Sequence, residues 1–227
     1  MDPDLELLDR WCAGNQAAGN ALFKRYFEDI YRFFENKVSG DIDEPVQETF
    51  LACVRRRDEF RRQSSFRTFI FAIARYELYA YWRRRSRGDQ PIDFTEISLA
   101  DLATTPISQL AREEDRERLV RALRSLPLEQ QLFLELHYWE NLDSAQLAEV
   151  FDIAPTTART RLFRARQALR ERLEAADSPS ALQSMSNANL DTWVSSLRAK
   201  RASLTPDRPD SQPGGPRADS EGSPENP

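Results

Sequence analysis

Apolar residues recur at three- and four-residue intervals over most of the first 175 positions, and strict alternation is absent. That period belongs to helices, so the pattern predicts an all-α protein without strands. In a first block, residues 5–87, amphipathic stretches fall at 17–38, 43–57 and 66–86. Gly40-Asp41 and the polar run FRRQSS interrupt them.

Residues 88–110 lose the period, hold Pro91 and Pro106, and read as a flexible linker. A second block, 111–175, shows three or four short helices with tight breaks at LPLEQ, ENLD and FDIAP. Residues 176–227 form an extension rich in Pro, Gly and Ser, mostly unable to bury enough apolar area to order itself. Within it Leu190, Trp193, Val194 and Leu197 keep helical spacing. They predict a short helix that docks on this protein or on a regulator, and an inert extension fits the same residues.

The second block carries the sharper local signal, NLDSAQLAEVFDIAPTTARTRLFRARQALRERL. Asp143 followed by Gln146 reads as a capping box. Leu147, Val150 and Phe151 share one face, Asp152 suits a left-handed turn, and Pro155 suits the first turn of the next helix. On that helix Ala158, Leu162, Ala165 and Leu169 form a narrow inner stripe. Thr156, Arg159, Thr160, Phe163 and Arg164 project the other way. Two helices about a tight turn, the second small inside and basic outside, read as a helix-turn-helix. Arginine offers paired donors to guanine, and Thr160 and Phe163 suit a thymine methyl. A solvated arginine-rich helix is the plainer alternative.

The stretch FRTFIFAIARYELYAYWRRRSR raises a different question. Phe66, Phe69, Ile70, Ile73 and Ala80 fall on one face, with Phe71, Leu78 and Trp82 on a further arc. Thr68, Arg75, Tyr79 and Arg83 occupy the remaining side, with Tyr76 at its border. Rings beside guanidiniums suit single-stranded nucleic acid, where bases stack and phosphates pair. A wholly buried helix with a basic end satisfies the same composition. In the preceding helix Val46, Phe50, Cys53 and Val54 are expected to face inward. Glu44, Gln47, Glu48, Leu51 and Arg55 lie together outside, repelling DNA but suiting a basic protein partner; a merely solvated face also fits.

Net charge is −5, yet its distribution is uneven. From Arg10 to Arg87 sixteen Lys or Arg face ten Asp or Glu, and from Pro155 to Arg172 six Arg face one Glu. GDQPIDFTEISLADLATTP between them has four acids and no base. Local field governs which partner approaches, so nucleic acid stays in play despite the total. Cys12, Cys53 and His137 are isolated and read as two small core residues and one surface imidazole, so neither a metal, a cofactor nor a disulfide framework is expected. No apolar run nears the roughly 20 residues that span a bilayer. The acidic start MDPDLELLDRW lacks a secretory signal's basic region. These features imply a soluble cytoplasmic protein without membrane insertion.

Taken together the motifs resemble those of bacterial RNA polymerase sigma factors of the small extracytoplasmic-function (ECF) group. DIDEPVQETFL is similar to that family's polymerase-docking motif. SSFRTFIFAIARYELYAYWRRR resembles its promoter-melting, minus-ten-reading helix, and LRSLPLEQQLFLELHYWENLDSAQLAEVFDIAPTTARTRLFRARQAL its minus-thirty-five-binding domain. CAGNQAAGNALFKRYFEDIYRFF fits its first helical region, and the likeness spans about 5–175.

The resemblance implies a non-catalytic subunit that binds core RNA polymerase, directs it to promoter DNA and aids strand opening. Residues 5–87 would be sigma region 2, 88–110 an acidic linker along the RNA-exit path, and 111–175 region 4. Glu44, Gln47, Glu48 and Leu51 would contact polymerase. Phe60, Arg75, Tyr76, Tyr79, Arg83 and Arg84 would serve the minus-ten element and melting, with loop 61–65 beside an extruded base. Thr156, Arg159, Thr160, Phe163 and Arg164 would read the minus-thirty-five element. Family members are often held inactive by an anti-sigma factor, a further expected partner. This chain departs from the family at Tyr76, usually Asn, and at Ala80, usually polar. Phe69 replaces Trp, Pro45 replaces Leu, and Asn141 and Asp152 stand where Gly is common.

Two readings compete. A helix-turn-helix repressor or activator needs only the second block and leaves the other two motifs idle. An enzyme needs a nucleophile or carboxylate cluster in a pocket, and the sequence offers neither convincingly.

Overall fold

The computed structural model describes residues 2–35, 37–60, 64–86, 91–102 and 114–175, except for the side chains of 114–117. The predicted segment 189–200 and positions 61–63 of the loop expected beside an extruded base lie outside the described residues, as do 87–90 and 103–113 in and around the linker.

The front module begins with α1 (Pro3–Cys12), ahead of the predicted stretches. Asp2 caps it by accepting from the Asp4 N–H at 2.9 Å, and Pro3 stands in the first turn, where no backbone donor is needed. Asp4 then ties α1 to α2 (Gln16–Glu35) by accepting from Arg25 and Tyr26. Next come α3 (Asp43–Arg56), a short 3₁₀ turn at Arg57–Glu59, and α4 (Phe66–Arg85). Ser65 starts α4 by accepting from the Thr68 N–H, and Arg83, Arg84 and Arg85 complement the helix dipole at its end.

The expected inward stripe of α3 holds at Val46 and Cys53, which are buried, and at half-buried Phe50. Val54 instead lies 39% exposed, and Pro45, Thr49 and Ala52 are buried. The buried arc is rotated toward 45, 49 and 52, and the Thr49 hydroxyl is satisfied by donating to the Pro45 carbonyl at 2.8 Å. Of the two cysteines, both expected in the core, Cys12 is exposed. Burial pushes the Cys53 thiol up to about 12, leaving it a small inert hydrophobe.

Within the expected linker, residues 91–102 form an ordered strap ending in the one-turn α5 (Leu99–Leu102). It runs onto the first turn of α7 (Leu128–Tyr138), where the Leu128 N–H donates to Ile97 O at 2.9 Å and the Glu129 N–H to Phe94 O at 3.0 Å. Helix starts leave four donors unmet, and the strap meets two of them in the absence of a side-chain cap. Phe94 and Leu99 are buried beneath it. The isolated Ser98–Pro127 bridge is the nearest thing to a strand among the described residues.

The rear module comprises α6 (Glu114–Arg124), α7, α8 (Ser144–Phe151) and α9 (Pro155–Ala175). Its local chemistry follows the sequence. Asp143 and Gln146 form a reciprocal capping box, and Asn141 and Asp152 both adopt φ 54°. Ala158, Leu162, Ala165 and Leu169 are buried. His137, expected as a surface imidazole, is half-buried and bonded on both nitrogens. Its Nδ1–H donates to the Leu142 carbonyl at 2.8 Å, and Nε2 then accepts from Arg166 at 2.7 Å.

The two modules pack as one body, α8 lying along α4. Arg67 of α4 reaches Glu140 and Asp29, and Lys37, 1% exposed, pairs with Glu135 of α7.

Gly19 of α2 is set by close packing: a Cβ there would lie 2.6–2.7 Å from the Trp11 indole. Helix propensity alone favours alanine at such a site by about 1 kcal/mol. The clash with a rigid ring reverses that sign, so Gly19→Ala is expected to lose about 1–3 kcal/mol in a urea titration.

Candidate nucleic-acid interface

α9 offers a single solvent-facing set. Thr156, Arg159, Thr160, Phe163 and Arg164 are all exposed, Phe163 by 54%. The small inner stripe lets α9 sit close on α7 and α8 and leaves this face standing clear. The Thr160 hydroxyl donates to the Thr156 carbonyl at 3.0 Å and keeps its oxygen lone pairs as acceptors.

The arginines of this helix divide by role. Arg161 pairs with Glu129, and Arg166 donates to the Tyr138 hydroxyl at 3.0 Å and to His137. Arg170 faces Glu174 at 3.5 Å. Arg159 and Arg164 stand with the exposed set, so the charge on this face is smaller than the sequence count. Sequence spacing hinted at this: Arg161 and Arg166 flank the inner stripe, where a guanidinium finds partners on the neighbouring helix.

The α4 face is only partly open, and here the expectation needs correcting. Tyr76 is 55% exposed between two guanidiniums, with Arg75 at 5.6 Å and Arg56 at 5.8 Å from its ring centre. Arg83 and Arg84 are exposed. Thr68 and Tyr79, placed by the helical wheel on the outward side, are buried. α8 and the strap cover them: Phe94 stacks on Tyr79 with ring centres 4.2 Å apart and planes 8° from parallel. Arg83 lies 5.5 Å over the far ring of that stack. Arg75 is half-buried, its guanidinium 5.3 Å from the Tyr79 ring and 5.1 Å from that of Phe151. Burial pushes the Tyr79 phenol up to about 12, so it stays neutral. Phe60 is half-buried against Phe69 at 4.9 Å.

On α3, Glu44, Gln47 and Leu51 are exposed and Glu48 is half-exposed. Glu44 accepts from Arg84 at 3.3 Å, so two residues assigned to different partners touch one another. An exposed pair of this kind contributes at most about 1 kcal/mol. Beside this stripe lies a feature that sequence reasoning missed: an apolar groove of 550 Å³ between α2 and α3. Phe27, Phe50, Leu51 and Val54 line it, with Lys24 and Gln47 among its polar members. Phe27 and Phe50 stack at 6.1 Å and 13°. The signal was Val54, which the wheel assigned to the core and the structure leaves at the surface.

Among the described residues no group of His, Cys, Asp or Glu could hold a metal ion. No helix among them is long and apolar enough to cross a membrane.

Residues 22–88 match the family model of sigma-70 region 2, and residues 116–169 match that of sigma-70 region 4. The chain is 29% identical over 180 residues to the ECF RNA polymerase sigma-E factors of Salmonella typhimurium and Escherichia coli K12, spanning 75% of this chain and 94% of theirs. The sigma-E factor of Haemophilus influenzae is 27% identical over 180 residues. In fold, the chain is similar to CnrH, solved with the cytosolic domain of CnrY, at TM-score 0.59 and 21% identity, over 78% of this chain and all of that one. It is also similar to RpoE of Bartonella quintana, solved with the anti-sigma factor NepR, at TM-score 0.52 and 23% identity, over 70% and 98% of the two chains.

Arg67 is the polar tie between the α4 face and the rear module, donating to Glu140 and, at 3.2 Å, to Asp29. Burial pushes the Glu140 carboxyl up from its ordinary value against the opposing pull of Arg67. Removing the guanidinium strands that carboxylate, so Arg67→Ala is expected to cost about 3 kcal/mol in chemical denaturation.

Proposed function

We infer the activity of this chain from its kinship: it belongs to the sigma-70 family, in the ECF group. It is a promoter-specificity factor that binds core RNA polymerase and directs transcription initiation at promoter DNA, reading minus-ten and minus-thirty-five elements. As a sigma factor it is a specificity subunit, and polymerase supplies the catalysis.

In the reading proposed, residues 5–87 dock polymerase and open DNA, 88–110 link the modules, and 111–175 grip duplex DNA at the minus-thirty-five element. The extension 176–227 stands outside that minimal machinery. Glu44, Gln47, Glu48 and Leu51 meet polymerase. The observation that carries this reading is the exposed groove beside them, on a chain that also presents a groove-reading helix. A free-standing repressor has no use for an apolar groove rimmed by Lys24 and Gln47. A polymerase subunit that inserts an apolar side chain between basic ones satisfies both the groove and the acidic stripe.

At the DNA, Arg159 and Arg164 supply bidentate donors, while Thr156, Thr160 and Phe163 supply polar and apolar contact to base edges. Tyr76, with Arg75, Tyr79, Arg83, Arg84 and Phe60, serves the melted minus-ten strand, where an exposed ring stacks on a base and guanidiniums hold phosphate. RpoE of Bartonella quintana is solved with an anti-sigma factor, and we propose a partner of the same class for this chain.

The test is reconstitution with core polymerase and transcription from a defined promoter. The wild type is expected to form holoenzyme and initiate. Leu51→Glu places a charge in the groove and is expected to weaken holoenzyme formation about tenfold or more, as loss of a central interface anchor does, with helicity unchanged. Equal holoenzyme yield from the variant would remove the groove from the docking surface.

Tyr76 supplies the second test. It offers a stacking plane where asparagine would offer hydrogen bonds, so Tyr76→Asn is expected to change the preferred minus-ten sequence in permanganate footprinting. Unchanged preference and opening would reject a base-contacting role.

A further inference from the structure

We propose that the strap holds the free factor closed by presenting Phe94 as an intramolecular stand-in for a nucleobase on Tyr79. This rests on the sigma-factor reading of α4 and goes beyond it.

The geometry is that of a base on a stacking platform. Phe94 lies 4.2 Å from Tyr79 at 8°, within the range of stacked aromatic planes. Arg83 covers it at 5.5 Å, supplying the cation that a nucleotide's phosphate would otherwise meet. Phe94 is 5% exposed, so no base reaches Tyr79 while the strap is seated. Strap and rear module are coupled, because Phe94 and Ile97 lend their carbonyls to the first turn of α7.

The closed state also keeps a polar group unmet. Among the described residues Arg75 Nε is buried without a partner in hydrogen-bonding geometry, and the Tyr79 hydroxyl has only the neighbouring Arg75 guanidinium beside it. Such groups penalise the state that buries them, so this contact is poised to exchange for one that satisfies them. A strand of DNA carries both an acceptor for Arg75 and a flat ring for Tyr79. DNA and Phe94 therefore compete for one surface, and the affinity of the free factor is scaled down by the fraction that is open.

The experiment uses the full chain without polymerase and a short fluorescein-labelled single-stranded deoxythymidine oligonucleotide. Phe94→Ala is expected to bind it about three- to tenfold more tightly than wild type by anisotropy, the range one aromatic stack is worth. Phe94→Leu keeps the apolar filling and loses the flat ring, so it is expected to bind more tightly than wild type too. It decides the matter should Phe94→Ala lose helicity. In hydrogen exchange, the Leu128 and Glu129 amides of the wild type are expected to lose protection at saturating oligonucleotide.

Unchanged affinity in a folded variant, or unchanged protection of those amides at saturation, overturns the proposal. Failure to form holoenzyme bears on the sigma-factor reading alone, because neither readout contains polymerase. A holoenzyme that opens promoters while both variants bind like wild type overturns the strap and leaves that reading standing.

Discussion

One helix serves two masters: α4 is the central strut of the front module and the seat of the rear one. Phe66, Ile70, Phe71, Ile73, Ala74 and Leu78 are buried, filling the front core. Thr68 and Tyr79, on the side left over, are buried as well. At roughly 25 cal/mol per Å² of apolar surface, a helix with unpartnered rings has every reason to attract a cover. The remaining face of α4 is therefore apolar enough to invite protein and aromatic enough to invite flat rings. The arrangement of strap, α8 and α4 follows from that double attraction.

The charges refine this packing and do not drive it. Arg67 finds Glu140 and Lys37 finds Glu135, each across the junction, while Arg67 also meets Asp29 within the front module. Buried pairs of this type gain little net stability over apolar packing, because desolvation offsets the attraction. They penalise misalignment heavily, since sliding one module strands a charge. Apolar contact supplies adhesion and the ion pairs supply register. The exposed faces, α9 and the α3 stripe, stay outside this logic and remain available to partners.

Local features were legible in the sequence. The capping box at Asp143 and Gln146, the left-handed Asn141 and Asp152, and the inner stripe of α9 depend on neighbours within a few residues. So does the exposed set from Thr156 to Arg164. What was not legible depends on contacts between distant positions: Arg67 with Glu140 lies 73 residues away. The strap looked flexible because a twelve-residue segment carries no readable period, yet it is fixed by donors at the start of α7. Tyr79 looked outward because a helical wheel knows only its own helix. Val54 looked inward for the same reason, and the groove it lines went unseen.

Lys37 carries a lesson for those who would build hybrid factors by joining the front half of one relative to the rear half of another. Its ammonium is sealed in, 1% exposed, and its counterion belongs to the other half. A foreign rear half lacking an acid at that spot would leave this buried cation with only the Phe33 carbonyl and ring as partners and no counterion, costing several kcal/mol. Transplanted promoter preference thus comes with a compatibility requirement far from any base, and Lys37 is where a designer should look before cutting.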